Sequence, residues 1–289
     1  MFDKVTLKLN VDPLILSALR EDITSEDVSA NSVMRDVQMG EADLICKEDG
    51  IICGLQVFER VFKLLDEESS VEFFVKDGDQ VSKGQLMAKL RGDVRVLLCG
   101  ERTALNYLQR MSGVATYTRS MAQLLEGTKT KLVDTRKTTP NNRIFEKYAV
   151  KVGGGHNHRY NLSDGVMLKD NHIWAHGSIT GAVAAAKAVG GYTIKIEVEV
   201  DSEKDADEAI AAGADVIMLD NFTGVGLKVA AQSLKTRWAG KDKAFMLECS
   251  GGLTTENVET YINNDIDVIS TSAIHQGCPH VDFSLKIDH

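Results

Sequence analysis

The sequence predicts an α/β protein with two domains, and two observations support this fold class. Residues 1–115 contain short alternating strand candidates mixed with helices, which predicts an N-terminal mixed α/β sandwich domain. Residues 116–274 contain six apolar strand candidates, with helical stretches between the later ones. Such helices imply parallel strands, because parallel pairing needs long crossover connections. Six strands are fewer than the eight of a complete barrel, so we expect a C-terminal incomplete (β/α) barrel that carries the active site, with the tail 275–289 packed back on the first domain.

The first domain is expected to follow the order helix, strand, strand, helix, three strands, helix. A short apolar helix covers Leu14 to Leu19, and the stretch 41–62 then has the pattern of strand, turn, strand and helix. The stretch 71–111 adds an alternating strand, an Asp-Gly turn, two more strands and an amphipathic helix. Residues 75–93 also resemble a lipoyl or biotinyl carrier domain in their glycine spacing. No lysine stands at the tip of a tight hairpin there, so a structural β-segment is the better interpretation.

The second domain alternates strands with helices. The strand candidates are 131–135, 164–171, 192–201, 214–221, 244–251 and 266–272. The later helix candidates are 179–191, 202–214, 223–240 and 254–265. In α/β barrels the reacting groups stand at the C-terminal ends of the strands, where the loops to the helices begin. Nearly every candidate strand here ends in polar residues, so the sequence predicts the site at that face of the barrel.

The composition disfavours several classes of protein. The chain has 289 residues and a formal net charge of −9, which disfavours nucleic acid or an anionic membrane as the main partner. Five cysteines without a Cys-x-x-Cys pair favour reduced thiols over disulfides or a zinc site. The start, MFDKVTLKLN, carries charges where a secretory signal would be apolar, and no stretch reaches the roughly 20 apolar residues of a membrane span. We therefore expect a soluble cytoplasmic protein, and the nucleus stays open as a second location.

Charged residues alternate with isoleucine and valine in the strand candidate 192–201. Because successive strand side chains face opposite sides, Lys195, Glu197 and Glu199 share the face toward the barrel interior. Buried carboxylates are costly unless they are paired, bound to a metal or used in chemistry. Two interpretations of Lys195 and Glu197 stay open, a structural ion pair and a functional role. The rim positions of Glu199 and Asp220 favour a function for these two carboxylates.

The segment 134–172 reverses the charge of the chain. It contains seven Lys or Arg and four acidic residues, a local net charge of +3. A solvated face of an amphipathic helix accounts for Arg143, Lys147 and Lys151. It does not account for the cations at strand ends and in the glycine-rich loop, which are Arg136, Lys137, Arg159 and Lys169. This local reversal predicts an anion-binding site.

The glycine-rich loop, KVGGGHNHR at residues 151–159, admits two other interpretations. A P-loop is excluded because the Gly-Lys-Ser/Thr sequence that holds phosphate and magnesium is missing. A metal-dependent barrel hydrolase would use His156 and His158 as a His-x-His pair. Its further ligands would be His172, Asp170 and Asp220. The surrounding cations oppose a divalent ion, because each unit-charge contact at about 4 Å and an effective dielectric near 20 is worth roughly 4 kcal/mol. The hydrolase is therefore kept as the alternative function.

Six stretches of the sequence carry a resemblance to one enzyme family. They are ERTALNYLQRMSGVAT, DTRKTTPNNRIFEKYAVKVGGGHNHRYNLSDGVMLKDNHI, IEVEV, ADVIMLDNF, ECSGGL and DVIS. In this order, and over nearly the whole chain, they resemble quinolinate phosphoribosyltransferase, the carboxylating nicotinate-nucleotide pyrophosphorylase of NAD biosynthesis. The long block from Thr-Arg-Lys-Thr to Lys-Asp-Asn-His is the most specific stretch. The ending, STSAIHQG to VDFSLKI, is more similar to fungal members than to bacterial ones.

The resemblance implies a pentosyltransferase that joins quinolinate to phosphoribosyl pyrophosphate (PRPP). The reaction releases pyrophosphate and carbon dioxide and leaves nicotinate mononucleotide. Quinolinate has two adjacent carboxylates, and the planar guanidinium groups of arginine bind carboxylates bidentately. The residues implied for quinolinate are Arg102, Arg136, His158, Arg159 and Lys169. In the family, the arginine at the position of Arg102 reaches into the active site of the neighbouring subunit, which implies a homodimer or a higher homo-oligomer.

The resemblance also implies a binding site for PRPP and its magnesium ion. The residues concerned are Lys137, Lys169, His158, Glu199, Asp220, Ser250, Gly251 and Ser272. Glu199 and Asp220 are expected to face the ribose hydroxyls and Mg2+, the implied cofactor, through water or substrate. Ser250, Gly251 and the turn 270–272 are expected to cradle the 5′-phosphate with backbone N–H groups. Many family members have glycine near Ser272, so the sequence departs from the family pattern there.

Overall fold

The computed structural model describes residues 1–34 and 36–287, and the chain forms two compact units. Unit 1 contains Met1–Arg119, Thr139–Gly154 and the described part of Cys278–His289. Unit 2 contains Ser120–Thr138 and Gly155–Gly277. The segment Thr139–Gly154 lies in the range predicted for the barrel and belongs to unit 1 in the structure. The last two residues of the predicted tail, 288–289, lie outside the described residues.

Unit 1 mixes helices with short strands. Its helices are α1 (Lys4–Thr6), a π-helical segment (Leu7–Val11), α2 (Asp12–Asp22), α3 (Val28–Val33), α4 (Leu55–Leu65), α5 (Val94–Leu124, whose residues after Arg119 belong to unit 2) and α6 (Arg143–Val152). Its first strands are β1 (Met39–Cys46), β2 (Gly50–Ile51), β3 (Ser70–Phe73), β4 (Gln80–Val81) and β5 (Leu86–Asp93). From β1 to α5 this order agrees with the predicted one, but one helix was predicted before β1 where the structure also has α1, the π-helical segment and α3. In α6, Lys147 is buried, so the solvated-face interpretation is wrong for this residue.

Helix α4 shows how the sequence builds this unit. Leu55, Phe58 and Phe62 recur at the three- and four-residue spacing that keeps side chains on one helix face, and all three are buried. The rings of Phe58 and Phe62 meet edge to face, with their centroids 5.3 Å apart. The apolar face of α4 is therefore part of the core of unit 1.

Unit 2 is the incomplete barrel. Its strands are β6 (Lys131–Val133), β7 (Val166–Leu168), β8 (Ile196–Val200), β9 (Val216–Asp220), β10 (Met246–Ser250) and β11 (Val268–Ser270). Its helices are α7 (Asp170–His176), α8 (Ile179–Val189), α9 (Glu203–Ala212), α10 (Gly224–Trp238) and α11 (Ala273–Gln276). The strands form one parallel sheet in the order β6-β11-β10-β9-β8-β7. Within the described residues the edge strands β6 and β7 do not pair with each other, so the predicted incomplete barrel is confirmed.

Alternation along the strands separates an apolar face from a polar one. In β9, Ile217 and Leu219 are fully buried and point away from the barrel interior, whereas Met218 and Asp220 line a cavity inside it. Helices α8, α9 and α10 each begin after a hydroxyl residue whose side chain accepts a backbone N–H of the first turn. These caps fix the ends of the loops that carry the site.

One predicted helix, 254–265, is wrong in its extent. The structure has only a 3-10 turn there, Val258–Tyr261. The side chain of Asn257 accepts the backbone N–H of Thr254 (2.9 Å) and donates to the carbonyl oxygen of Gly252 (2.9 Å). These bonds compete with the regular helical ladder, which explains why the apolar spacing does not produce a full helix.

The C-terminal strand, β12 (Phe283–Ile287), completes the sheet of unit 1. It pairs antiparallel with β1, with Phe283 opposite Cys46 and Ile287 opposite Ala42. The order of this sheet is β12-β1-β5-β3, and its inner side chains include the fully buried Ala42 and Leu44.

The helices of the described chain include no candidate for a membrane span, since none combines the necessary length with sufficient hydropathy.

Candidate active site

The cavity at the carboxyl ends of the parallel strands measures about 770 Å³. It lies at the face where the sequence predicts the site. Ten of the eleven predicted site residues line it: Arg136, Lys137, His158, Arg159, Lys169, Glu199, Asp220, Ser250, Gly251 and Ser272. Arg102 is the exception, because it belongs to unit 1 and lines a different cavity of about 270 Å³ with Glu21 and Asn106. The barrel of one chain therefore brings together every predicted residue except Arg102.

The glycine-rich loop is attached to the open edge of the sheet, beside β6. The backbone N–H of His156 donates to the carbonyl oxygen of Leu132 (2.9 Å), and the N–H of Asp134 donates to the carbonyl oxygen of His156 (3.0 Å). The fully buried carboxylate of Asp134 accepts the side-chain amide of Asn157 and the backbone N–H of His158, both at 2.7 Å. Asp134 thus anchors the loop. This role was not predicted from the sequence, where the only signal for it is an acidic residue directly after a strand within a cationic segment.

The same loop reaches the other edge of the sheet. Nη1 of Arg159 donates to the carbonyl oxygen of Gly165 (3.0 Å), the residue before β7 begins. Gly154 has a φ of +98°, in the left-handed region that favours glycine, and allows the turn from α6 into the loop. The loop therefore spans the gap between the edge strands and places His158 and Arg159 in the cavity wall.

Two buried glutamates face His158 inside the barrel. Nε2 of His158 lies 2.9 Å from Oε2 of Glu197 and 3.7 Å from Oε1 of Glu248. Lys195 directly precedes β8, the strand of Glu197, and is exposed. Its Nζ lies 3.4 Å from Oδ1 of Asp215. The structural pair between Lys195 and Glu197, which the sequence left open, is therefore not formed. Glu197 has a histidine as its partner instead.

The carboxyl group of Glu248 has an unusual affinity for its proton. Burial and the neighbouring Glu197 raise the pKa of Glu248 to about 7, although His158 opposes the shift. Glutamate in an unfolded chain titrates near pH 4.3. Between these two values the folded state binds more protons than the unfolded state, so this group makes the protein less stable as the pH rises toward 7. Above pH 7 this decrease in the free energy of unfolding is complete.

We expect Glu248→Gln to raise the melting temperature at pH 8 and to change it much less at pH 5.5. The amide has nearly the shape of the acid and removes the charge that becomes costly at high pH. Thermal unfolding of both proteins at both pH values measures the difference. Glu126→Gln is the control, because Glu126 is exposed and should show no such dependence. An equal change at the two pH values would contradict a raised pKa of Glu248.

Lysine and carboxylate side chains meet at the rim of the cavity. Nζ of Lys169 donates to Oε2 of Glu199, and the backbone N–H of Lys169 donates to Nδ1 of His172 (3.1 Å). Burial and the neighbouring Glu199 raise the pKa of Asp220, against the opposite effects of Lys169 and Lys137. Repulsion between the carboxylates of Glu199 and Asp220 is the second cause of this raised pKa, after burial. A hard cation between the two carboxylates would relieve that repulsion. These residues fit the expected Mg2+.

Two guanidinium groups, those of Arg136 and Arg159, line the cavity as charged neighbours. Burial and the neighbouring Arg136 lower the pKa of Arg159, while Glu197 and Asp164 act in the opposite direction. Adjacent like charges in a partly buried site favour the binding of an anion. Planar guanidinium groups bind carboxylates bidentately, so this part of the cavity suits an organic acid.

The turns after β10 and β11 leave backbone accessible at the cavity. Gly251 has a φ of +110°, and a side chain there would lie 2.9 Å from Oδ1 of Asn221. The side chain of Asn221 in turn donates to Oδ2 of Asp220 (2.6 Å). Ser272 has an ordinary right-handed conformation, with a φ of −85°. Serine at this position therefore causes no backbone strain.

Two family models match the chain in succession. Residues 22–112 match the quinolinate phosphoribosyl transferase N-terminal domain, and residues 114–286 match the C-terminal domain of the same family.

The chain belongs to the quinolinate phosphoribosyltransferase family.

Its class is therefore that of a decarboxylating pentosyltransferase, and similar proteins cover nearly all of it. The "Probable nicotinate-nucleotide pyrophosphorylase (carboxylating)" of Bacillus subtilis is 39% identical over an alignment of 283 positions, which covers 96% of this chain and 94% of that protein. The human "Nicotinate-nucleotide pyrophosphorylase (carboxylating)" is 36% identical over an alignment of 290 positions, which covers 99% of this chain and 96% of that protein. The crystal structure of NadC from Streptococcus pyogenes has a TM-score of 0.91 and 42% identity, and the match covers 100% of this chain and 99% of that one.

The alternative function, a His-x-His metal-dependent hydrolase, is not supported in this quinolinate phosphoribosyltransferase. His156 is exposed, whereas His158 points into the barrel. Among the described residues, the one group of three side chains that could hold a metal is His158, Glu197 and Glu248. It does not include His156, so the two histidines do not form the pair that the hydrolase would require.

Proposed function

We propose that this chain transfers the phosphoribosyl group of PRPP to the ring nitrogen of quinolinate and releases pyrophosphate and carbon dioxide. The product, nicotinate mononucleotide, is a precursor of NAD. One observation carries this proposal: the same 770 Å³ cavity is lined by four cations, two rim carboxylates and glycine- and serine-containing turns. Both substrates are anions, and the volume is in the range of small-molecule sites. The cations are Arg136, Lys137, Arg159 and Lys169.

Quinolinate is assigned to the part of the cavity that holds the guanidinium groups. Arg136 and Arg159 would bind its two adjacent carboxylates, and Lys169 adds a third positive charge. Met167 and Met218 also line the cavity and offer apolar, polarisable surface for a pyridine ring. His158 lies in the same wall. This arrangement favours a flat diacid over a monoacid, because only a diacid uses both arginines.

PRPP is assigned to the rim. Lys137 would contact phosphate oxygens, and the turns that contain Ser250, Gly251 and Ser272 would direct backbone N–H groups at the 5′-phosphate. Glu199 and Asp220 would hold Mg2+ and the ribose hydroxyls, directly or through water. When bound, Mg2+ supplies positive charge to the leaving pyrophosphate.

In this reaction the residues of the protein stabilise charge and form no covalent bond with the substrates. Negative charge grows on the departing pyrophosphate, and Lys137 and Lys169 are placed to stabilise it. The pyridine nitrogen then bonds to the ribosyl carbon and becomes positive. Carbon dioxide leaves from the adjacent ring carbon, because the positive nitrogen stabilises the electron pair left there until a proton is taken up. We assign no nucleophile and no general base to the chain.

Turnover by the purified protein tests the proposal. With quinolinate, PRPP and Mg2+ we expect equal amounts of nicotinate mononucleotide and carbon dioxide, and no carbon dioxide when PRPP is omitted. His156→Ala is a matched control, because the exposed His156 should be dispensable for a transferase and essential for the hydrolase. Folded protein without product under these conditions would end the proposal.

We also propose that two subunits share each site, with Arg102 supplied by the partner subunit. Arg102 is exposed on α5 and belongs to unit 1, and the proposal for it comes from the family resemblance. If the enzyme is a dimer, mixing Arg102→Ala with Arg159→Ala should restore activity, because each mixed dimer has one intact site. Random exchange at equal amounts predicts about one quarter of the normal activity. Activity should be measured after sedimentation has shown that subunits exchange; exchange without recovery would contradict a shared site.

A further inference from the structure

His158 has both ring nitrogens engaged within the protein. The backbone N–H of Arg159 donates to Nδ1 of His158 at 2.8 Å. An accepting nitrogen carries no proton, so the proton of the neutral ring is on Nε2. Nε2 lies 2.9 Å from Oε2 of Glu197, a normal distance for N–H donation to a carboxylate. The two bonds therefore specify one tautomer of His158.

Glu197 depends on this bond as much as His158 does. Its side chain is 8% exposed, and its other oxygen, Oε1, has no hydrogen-bond partner within the part of the chain that the structure describes. Glu248 is too far from Nε2, at 3.7 Å, to accept the same proton well. Glu197 is thus the acceptor that orients the ring.

The ring in turn fixes the residue that follows it. The backbone of Arg159 is held by Nδ1 of His158, and its guanidinium group is held by the carbonyl oxygen of Gly165. The backbone of His158 is itself bound to the buried Asp134. Arg159 is therefore fixed at two points, its backbone N–H and its guanidinium group. The backbone contact depends on the orientation of the His158 ring, which Glu197 holds.

We propose that Glu197 is a positioning residue for Arg159, that it acts through the Nε2–H tautomer of His158, and that His158 donates no hydrogen bond to substrate. The proposal rests on the proposed function in one respect only, the binding of a quinolinate carboxylate by Arg159. It revises the role expected for His158, which the family resemblance implies to be a group that binds both substrates. In the structure both ring nitrogens contact groups of the protein, and His158 lines the cavity.

Nitrogen-15 NMR of histidine-labelled, substrate-free protein tests the tautomer directly. His158→Asn identifies the signal of His158 by its loss. We expect a protonated Nε2 and an unprotonated Nδ1 at neutral pH. A proton on Nδ1, or protons on both nitrogens, would overturn the proposal. So would a shift of the Nε2 signal when zinc is added, because it would show that Nε2 binds metal. Because no substrate is present, this result is independent of whether the enzyme turns over quinolinate.

Two substitutions of His158 separate positioning from substrate binding. Asparagine keeps an acceptor for the N–H of Arg159, and the same contact already exists in this chain, where Asp170 accepts the N–H of Asn171 at 2.7 Å. Glutamine keeps a donor in the place of Nε2. We expect His158→Gln to raise the KM for quinolinate about tenfold and His158→Asn to raise it less, with the KM for PRPP unchanged in both. A larger increase in this KM for His158→Asn than for His158→Gln would mean that Nε2 donates a hydrogen bond to the substrate.

Substitutions of Glu197 complete the test. Glu197→Gln retains an oxygen that accepts from Nε2 and should leave the KM for quinolinate nearly unchanged, whereas Glu197→Leu should raise it roughly tenfold. A merely structural role predicts instead that both Michaelis constants and the melting temperature change together. If Glu197→Leu does not fold, the tautomer of the unaltered protein still decides the proposal.

Discussion

Arg159→Lys is expected to raise the KM for quinolinate about 100-fold, which corresponds to about 2.7 kcal/mol of binding free energy. Lysine keeps the positive charge but loses the planar fork that binds a carboxylate at two points. In the structure the Arg159 guanidinium also donates to the carbonyl oxygen of Gly165, and a lysine cannot serve that oxygen and a substrate with one geometry. Steady-state kinetics with saturating PRPP measures the change.

The matched control for this prediction is Arg237→Lys. Arg237 lies on α10 and forms ion pairs with Glu203 and Asp207 at the surface. Exposed pairs contribute little to stability, so the KM for quinolinate should stay within about twofold. If Arg159→Lys behaves like this control, charge alone suffices at position 159 and the bidentate interpretation is wrong.

Asp220→Asn is expected to lower kcat/KM for PRPP about 1,000-fold with little change in the binding of quinolinate. The amide preserves the shape of the side chain and its contact with Asn221, but it removes the charge that would hold Mg2+ beside Glu199. The magnesium dependence of the Asp220→Asn enzyme should also change, because half-maximal activity should require a higher Mg2+ concentration.

Kinetics at several Mg2+ concentrations and saturating quinolinate check this second prediction. Asp207→Asn is the control, since Asp207 pairs with Arg237 on the surface and should leave the magnesium dependence unchanged. Normal kinetics for Asp220→Asn would show that this carboxylate neither holds the cation nor contacts PRPP.

The two-residue alternation of side chains along the sequence was sufficient to predict the barrel strands and the direction of their side chains. In β8, the alternation of apolar and charged residues places Glu197 and Glu199 inside the barrel, and both side chains point there in the structure. Because the strands are parallel, their polar ends meet at one face. This rule is enough to gather Lys169, Asp220 and Ser250 around one cavity without any knowledge of their contacts.

What the sequence did not predict depends on contacts between distant segments. Strand parity places Glu197 inside the barrel, but it does not say that a histidine from a loop about 40 residues earlier becomes its partner. The anchoring role of Asp134 arises only when the loop lies beside β6. The helix predicted over 254–265 failed for a local reason, since the side chain of Asn257 bonds to the backbone around it.

The position of quinolinate in a crystal of this protein tests the central claim most directly. We predict that its two carboxylates lie within hydrogen-bonding distance of the guanidinium groups of Arg136 and Arg159, with the ring between Met167 and Met218. Quinolinate bound elsewhere, or in this cavity with its carboxylates turned away from both arginines, would contradict the assignment of the cationic barrel cavity as the acid-binding site.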